Sequence, residues 1–523
     1  MKNLSSAPNT DRSTAFAATL SFALAALAFA PALGSGFHPE DYSWLALGQL
    51  NDSPLPLLGG NIIFVYFYRP LGLLLWWLTA HVFGNDPLWH NAVDLILHAT
   101  NATLLCLFSA RLSGKRVAGW IAGPLFAALP AGVGTAAWMS DRFDPLALMF
   151  SLLALLAFTR AIKRDGSKWP VFVWLLLAML SKEVAYAAAG AMVVMLTLPW
   201  LRRREFDTPL ALAIVGAVIA ALACRVLSAT HSQAANTTAE AFLHGTIAWW
   251  RHAPEALTGI GNNAFLLTTG VALLLIANIA TILLRLSKTG RDNDEGAWLL
   301  LCSGAAQLVL PAILQSPITA LILVDTPGLT GAENLRFYYF AAAGMAIISG
   351  ACAALASPKW VVAMLGATSI ACASGCTAAR RQATQWTSWL RPMYDIEKTL
   401  AADLSRRDFP PGCIIELDAP SWSALQHQHS DSALKALSAA NASLQHCALF
   451  AVGKLPSEVL APPEACIESY WPSSLTFAQF AGQTLARTTG NVCTLQFDRS
   501  KAPQIIAGAF RYRVNDDGHA IAQ

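Results

Sequence analysis

About eleven apolar runs follow one another between residues 14 and 377, most of them close to the length of a membrane crossing. A helix needs roughly 20 apolar residues to cross the hydrocarbon of a bilayer. No backbone polar group can stay unpaired there, so a spanning run of this length is helical. The runs fall near 14–34, 87–109, 117–137, 143–161, 168–181, 184–200, 209–228, 262–285, 297–315, 336–356 and 359–377, with 168–181 the shortest. The pattern predicts a mainly α fold, a polytopic transmembrane helical bundle. Composition agrees, with 55% hydrophobic and 13% charged residues, against about 25% charged in soluble proteins. A net charge of +3, with no basic run interleaved with aromatics, argues against nucleic acid as a partner.

Basic residues in short loops orient such a bundle. With the N-terminus, Lys2 and Arg12, in the cytoplasm, every second loop should be basic. The loops "RLSGKR" (111–116), "TRAIKRDGSK" (159–168), "LRRREF" (201–206), "LRLSKTGR" (284–291) and "SPK" (357–359) obey. The opposite loops are 35–86, 138–142, 181–183, 229–261 and 316–335, and an odd number of spans puts residues 378–523 outside as well. The first run can also be read as a signal peptide, since "AFA" at 28–30 resembles a cleavage site. Either way the 35–86 loop is external.

Residues 378–523 have ordinary polar content. "CIIELDAP", "HCALFAVG", "NVCTLQFD" and "FRYRV" read as strands, and "YDIEKTLAADLSRRD" and "SDSALKALSAANASL" as amphipathic helices. The organisation expected is a transmembrane domain over 1–377 and a small α/β extracytoplasmic domain over 378–523. Cys413, Cys447, Cys466 and Cys493 in that domain permit two disulfides with three pairings, and no CxxC points to zinc.

Polar groups at membrane depth are expensive and usually functional. Here nearly all of them fall on the external side. Glu40 and Asp41 follow His38-Pro39 directly after the first run. They can take a proton or hold a metal, or simply complement a helix N-terminus. Tyr68 and Arg69 precede Pro70, which suits the first turn of a helix. Arg69 is either a phosphate ligand or a snorkelling interfacial residue. His90, Asp94 and His98, continued by Asn101, share one face of a helix, with His98 roughly 12 Å deeper than His90. That stripe reads as a packing stripe or, less readily, a metal site. Asp141, Arg142 and Asp144 crowd one tight external turn, and Lys182 and Glu183 another. Basic residues there run against the positive-inside trend, which favours anion binding. Glu333, Arg336, Tyr338 and Tyr339 stand where a long external loop enters a span, where the helix dipole also favours an anion. Residues 241–257 can lie flat at the interface as an amphipathic helix.

In chain order, the acidic pair, "YRPL", "HN…LH", "W.SDRFD" and "SKE" resemble the motifs of the GT-C-type polytopic glycosyltransferases. These include the protein O-mannosyltransferases, the aminoarabinose transferases of lipid A and their bacterial relatives. The resemblance covers residues 14–200 well and "ENLRFYY" less closely, and residues 378–523 take no part in it. It implies a polyprenyl-phosphate sugar donor and an envelope acceptor (lipid, polysaccharide or protein) at the outer face of the bacterial inner membrane. Asp41 becomes the presumed general base, with Glu40 the competitor, and one displacement inverts the sugar. Arg69, Lys182 and Arg336 would hold the donor phosphate. Tyr68, His90, His98, Asp141, Arg142, Asp144, Glu183 and Tyr339 would shape the site. Some relatives bind a divalent cation near such acids, here Glu40, Asp141 or Asp144. The alternatives are a transporter or flippase, and a non-catalytic scaffold of envelope polysaccharide assembly. A transporter places polar residues near the midplane on broken helices, whereas these gather on one face.

Overall fold

The structure is a computed structural model that describes residues 12–49, 51–59, 68–163, 166–203, 206–228, 238–258, 265–286, 294–324 and 332–407, together with seven strands further on. Each expected apolar run coincides with a helix over most of its described residues. The helices are Arg12–Phe29, Pro87–Ser113, Arg116–Ala128, Phe143–Lys163, Trp169–Ser181, Tyr186–Arg203, Thr208–Leu227, Phe265–Leu286, Glu295–Leu314, Tyr339–Leu355 and Pro358–Leu404. Among the described residues, eight helices are long and apolar enough to cross a membrane, or nine if one bent pair counts as a span. The protein is therefore a multi-pass membrane protein.

The count of eleven differs from this for physical reasons. Trp169–Ser181 has 13 residues, about 20 Å of helix at 1.5 Å per residue, and Glu183–Thr197 is also short. The bent pair is Arg116–Ala128 with Pro130–Ala136, at 57°. Leu129 between them is extended, with φ −71° and ψ 136°, as expected for a residue that precedes proline.

The chain divides into two compact units. The first holds residues 1–33, 68–72 and 91–386, and the second holds 34–67, 73–90 and 387–523. In the first, small residues let helices approach. A Cβ on Gly344 would lie 2.5 Å from Leu308 N, and one on Gly304 would lie 2.9 Å from Gly344 O. Glu295–Leu314 and Tyr339–Leu355 thus pack backbone to backbone, the usual solution where lipid removes the hydrophobic drive. Lys115 and Arg285 both grip Asp294, at 2.8 and 3.1 Å. They also donate to the Ala354 and Leu355 carbonyls, which satisfies the C-terminal end of Tyr339–Leu355.

In the second unit, the four C-terminal runs read as strands are strands. The seven are β1 (Ile414–Asp418), β2 (Ala448–Ala451), β3 (Glu458–Ala461), β4 (Thr484–Thr489), β5 (Val492–Phe497), β6 (Phe510–Val514) and β7 (Ala520–Ala522). One sheet runs β2-β1-β6-β7, with β1 parallel to β2 and β6 and with β7 antiparallel to β6. The other is the antiparallel β3-β5-β4. The helix expected over "SDSALKALSAANASL" lies outside the described residues, as do Cys413, Cys447 and Cys466. The Pro358–Leu404 helix runs unbroken through the expected 377/378 boundary. Gly375 just before it does not end the helix, and further on Pro392 lies within it.

Candidate active site

Glu40, Asp41 and His90 belong to the second unit, and the other candidate residues to the first. Glu40 and Asp41 occupy the first turn of the Pro39–Gln49 helix. Pro39 suits that start because its missing N–H would be unsatisfied there anyway. Asp41 Oδ2 accepts the His38 N–H at 2.7 Å. The Asp41 N–H donates to the His38 carbonyl at 2.8 Å, and the Glu40 N–H donates to His38 Nδ1 at 3.3 Å. This is the reciprocal arrangement of a capping box. Asp41 is buried, whereas Glu40 is half-buried. His90 Nε2 lies 3.0 Å from the Gly84 carbonyl. Its ring sits among Phe37, Trp76 and Phe83, so it packs the entrance of the Pro87–Ser113 helix.

In the first unit the two tight turns meet. Lys182 Nζ donates to Asp141 Oδ1 at 2.9 Å and also to Asp144 Oδ2. Lys182 is 8% exposed, Asp141 1% and Asp144 not at all. Arg142, fully buried, pairs with Asp94 at 3.2 Å. Next to these, Glu183 takes two guanidiniums. Arg69 donates through Nε and Nη2 to Oε2, at 2.9 and 2.7 Å. Arg225 Nη1 donates to Oε1 at 2.7 Å, and its Nη2 donates to the Met179 carbonyl at 2.8 Å. Burial would raise the Glu183 pKa, but Arg69 and Arg225 bring it down to about 2. The Tyr68 hydroxyl, outside the spans, has its pKa raised by burial.

Arg336 differs from these. Its guanidinium carbon lies 4.4 Å from the Trp138 ring centroid and 4.9 Å from that of Phe337. It is close enough to Asp141 to act on its charge. Among the described residues Arg336 forms no ion pair, and its buried Nε has no hydrogen-bond partner. The cluster holds Arg69, Arg142, Lys182, Arg225 and Arg336 against Asp94, Asp141, Asp144 and Glu183. Among the described residues, the four carboxylates of these ion pairs are taken up by the other four cations, so an anion would find in the part-buried Arg336 guanidinium the positive charge of the cluster that stands outside those pairs.

Tyr339 lies below. Its hydroxyl is 2.9 Å from His98 Nδ1 and accepts from Asn101 Nδ2 at 3.2 Å. Asn101 Nδ2 also donates to the Pro145 carbonyl at 2.8 Å. Thus Asn101 ties the turn that carries Asp144 to the turn that carries Arg336. The stripe of the Pro87–Ser113 helix is a hydrogen-bonded packing stripe along this stretch. No group of three or more His, Cys, Asp and Glu that could hold a metal occurs among the described residues. Lys182 already stands between Asp141 and Asp144, so this pair does not fit a divalent cation.

Reading the sequence missed Arg225 and gave Trp138 and Trp249 no role of their own, and it read Asp94 and Asn101 only as members of a packing stripe. Arg225 had a usable signal: a lone Arg ending an apolar run on the side opposite the basic loops. Nothing in the sequence marks Trp138 as the platform for Arg336.

No protein-family model matches the chain. It is 30% identical over 141 residues to the human protein O-mannosyl-transferase TMTC1, a match covering 24% of this chain and 16% of that protein. It is 31% identical over 109 residues to the mouse protein O-mannosyl-transferase TMTC2, covering 21% of this chain and 13% of the relative. The chain resembles the GT-C-type polytopic glycosyltransferases. The matches span less than a fifth of these relatives' own length. Among solved structures, ArnT from Cupriavidus metallidurans bound to undecaprenyl phosphate gives a TM-score of 0.47 at 12% identity, over 92% of this chain and 98% of that one. The same protein in the apo state gives 0.44 at 10% identity, over 94% and 99%.

Proposed function

We propose that the chain is a membrane glycosyltransferase that moves a sugar from a polyprenyl-phosphate donor to an envelope acceptor, at the outer face of the bacterial inner membrane. The observation that carries this reading is Arg336, which forms no ion pair among the described residues and stacks on Trp138 beside a buried network of ion pairs. Such a group suits a phosphate at membrane level. The partial match to protein O-mannosyl-transferases supports sugar transfer as the chemistry.

In this reading the two tight turns build the site rather than bind the donor. Lys182 holds Asp141 and Asp144 in place, and Glu183 holds Arg69 and Arg225. Arg336 takes the donor phosphate, and Arg69 contributes whatever positive charge Glu183 leaves uncompensated. Asp41, or Glu40, accepts the proton of the acceptor hydroxyl as that oxygen attacks the anomeric carbon from the face opposite the phosphate. The bond from that carbon to the phosphate oxygen breaks and configuration inverts. The departing phosphate gains charge, and Arg336 offsets it. The domains are 1–377 for transfer and 378–523 for an extracytoplasmic role.

The test uses purified full-length protein, polyprenyl-phosphate sugars and candidate acceptors. Asp41→Asn keeps the oxygen that accepts the His38 N–H, so the helix start survives and only proton acceptance is lost. Transfer is expected to fall about 10²-fold or more. Full transfer by both Asp41→Asn and Glu40→Gln would overturn the base. If polyprenyl-phosphate sugars neither bind nor react, the reaction class is wrong.

A further inference from the structure

Arg336 begins a single 3-10 turn, Arg336–Tyr338, between the short Ala332–Leu335 helix and Tyr339–Leu355. The turn is closed by the Tyr339 N–H donating to the Arg336 carbonyl, a 3-10 bond of poorer geometry than an α-helical one. A second helix holds it from outside, Ala239–Thr258, whose residues 241–257 the sequence alone reads as an interfacial amphipathic segment. Trp249 Nε1 donates to the Phe337 carbonyl at 3.2 Å, and the Tyr338 hydroxyl donates back to the Trp249 carbonyl at 2.9 Å. The two rings lie 4.7 Å apart between centroids, and both residues are fully buried. The clamp is seated in turn. Thr319 Oγ1 donates to the Gly245 carbonyl at 3.0 Å, and a Cβ on Gly245 would come 2.0 Å from the Ser316 carbonyl oxygen. The Ala239–Thr258 helix therefore rests with little play on Ser316–Ile322, and its Trp249 grips the residues directly after Arg336.

We propose that Trp249 and Tyr338 are positioning residues that hold the Arg336 guanidinium over Trp138, ready for the donor phosphate. The proposal rests on the reading of Arg336 as the phosphate anchor. It assigns the Ala239–Thr258 helix to donor affinity rather than to membrane attachment alone. Removing one hydrogen bond of the clamp lets the 3-10 turn relax, and the guanidinium loses the one orientation in which it meets a phosphate at membrane level.

Trp249→Phe and Tyr338→Phe each keep a ring and delete one hydrogen bond. Geranyl phosphate is the probe, and geraniol is the uncharged control. Binding is measured on the full-length protein in detergent, in the wild-type and Arg336→Gln backgrounds, beside the melting temperature. Each variant is expected to weaken geranyl phosphate binding about fivefold, the effect of one hydrogen bond. Geraniol binding should not change. In the Arg336→Gln background either variant should alter phosphate binding less than about twofold, because coupled residues are not additive. An equal loss in both backgrounds would mean the clamp acts only on the fold, and would overturn the proposal. Should Arg336→Gln bind geranyl phosphate as the wild type does, the phosphate reading of Arg336 falls first and the clamp's role falls with it.

Discussion

Replacing Glu183 by glutamine keeps the side chain's size and removes the charge that Arg69 and Arg225 share. A fall in pKa from 4.5 to about 2 corresponds to about 3 kcal/mol in favour of the folded state. The Glu183 side chain is 31% exposed. Solvent screens part of the interaction, and about 1–2 kcal/mol remains. The sign follows from proton binding. The folded protein gives up this proton more readily than the unfolded chain. Its stabilisation is therefore complete above the unfolded value of 4.5 and drains as pH falls towards about 2. Wild type and Glu183→Gln should then differ in melting temperature at neutral pH and converge in acid. The 17 Trp provide a fluorescence readout of thermal unfolding in detergent, scanned from neutral pH to about 3. A gap that stays constant across that range, or widens in acid, would refute the shared-carboxylate account.

Lys182→Met leaves Asp141 and Asp144 buried without their ammonium. The loss expected is about 3–5 kcal/mol, measured by thermal unfolding, and larger than for Lys115→Met, whose side chain is 41% exposed. Tyr339→Phe removes the hydroxyl that His98 and Asn101 share. It should cost about 1–2 kcal/mol, and polyprenyl phosphate affinity should fall with it, since Arg336 stands one turn away. Gly344→Val forces apart the Glu295–Leu314 and Tyr339–Leu355 helices, so folded protein recovered from membranes should drop sharply, whereas Gly366→Val meets open space and should not alter the yield.

Much of the fold is legible in the chain because it rests on local patterns. Each expected apolar run coincides with a helix, and "CIIELDAP", "HCALFAVG", "NVCTLQFD" and "FRYRV" contain strands, since β-branched and aromatic residues favour extended backbone in short runs. The number of full-length spans was not legible. Whether Trp169–Ser181 crosses depends on its length against a bilayer, and the bend at Leu129 depends on one proline. The continuous Pro358–Leu404 helix was read in two pieces because its apolar stripe gives way to an amphipathic one just after Gly375, a change of environment that does not end the helix.

The candidate site divides in the same way. Residue types and the side of the membrane on which loop charges place them marked Arg69, Lys182, Glu183 and Arg336 as one family of groups. Pairing was beyond reach, because it joins residues distant in the chain: Arg69 meets Glu183 across 114 positions, and Lys182 meets Asp141 across 41. The sequence alone therefore determined that this is a helical membrane protein with acids and cations gathered at its short loops. Hydropathy and charge depend on each residue and its neighbours. Only the tertiary structure decided that Lys182 bridges Asp141 and Asp144, that Glu183 occupies Arg69 and Arg225, and that Arg336 stacks on Trp138 with no ion pair among the described residues. Those outcomes depend on which charges burial brings together, and no local pattern encodes that.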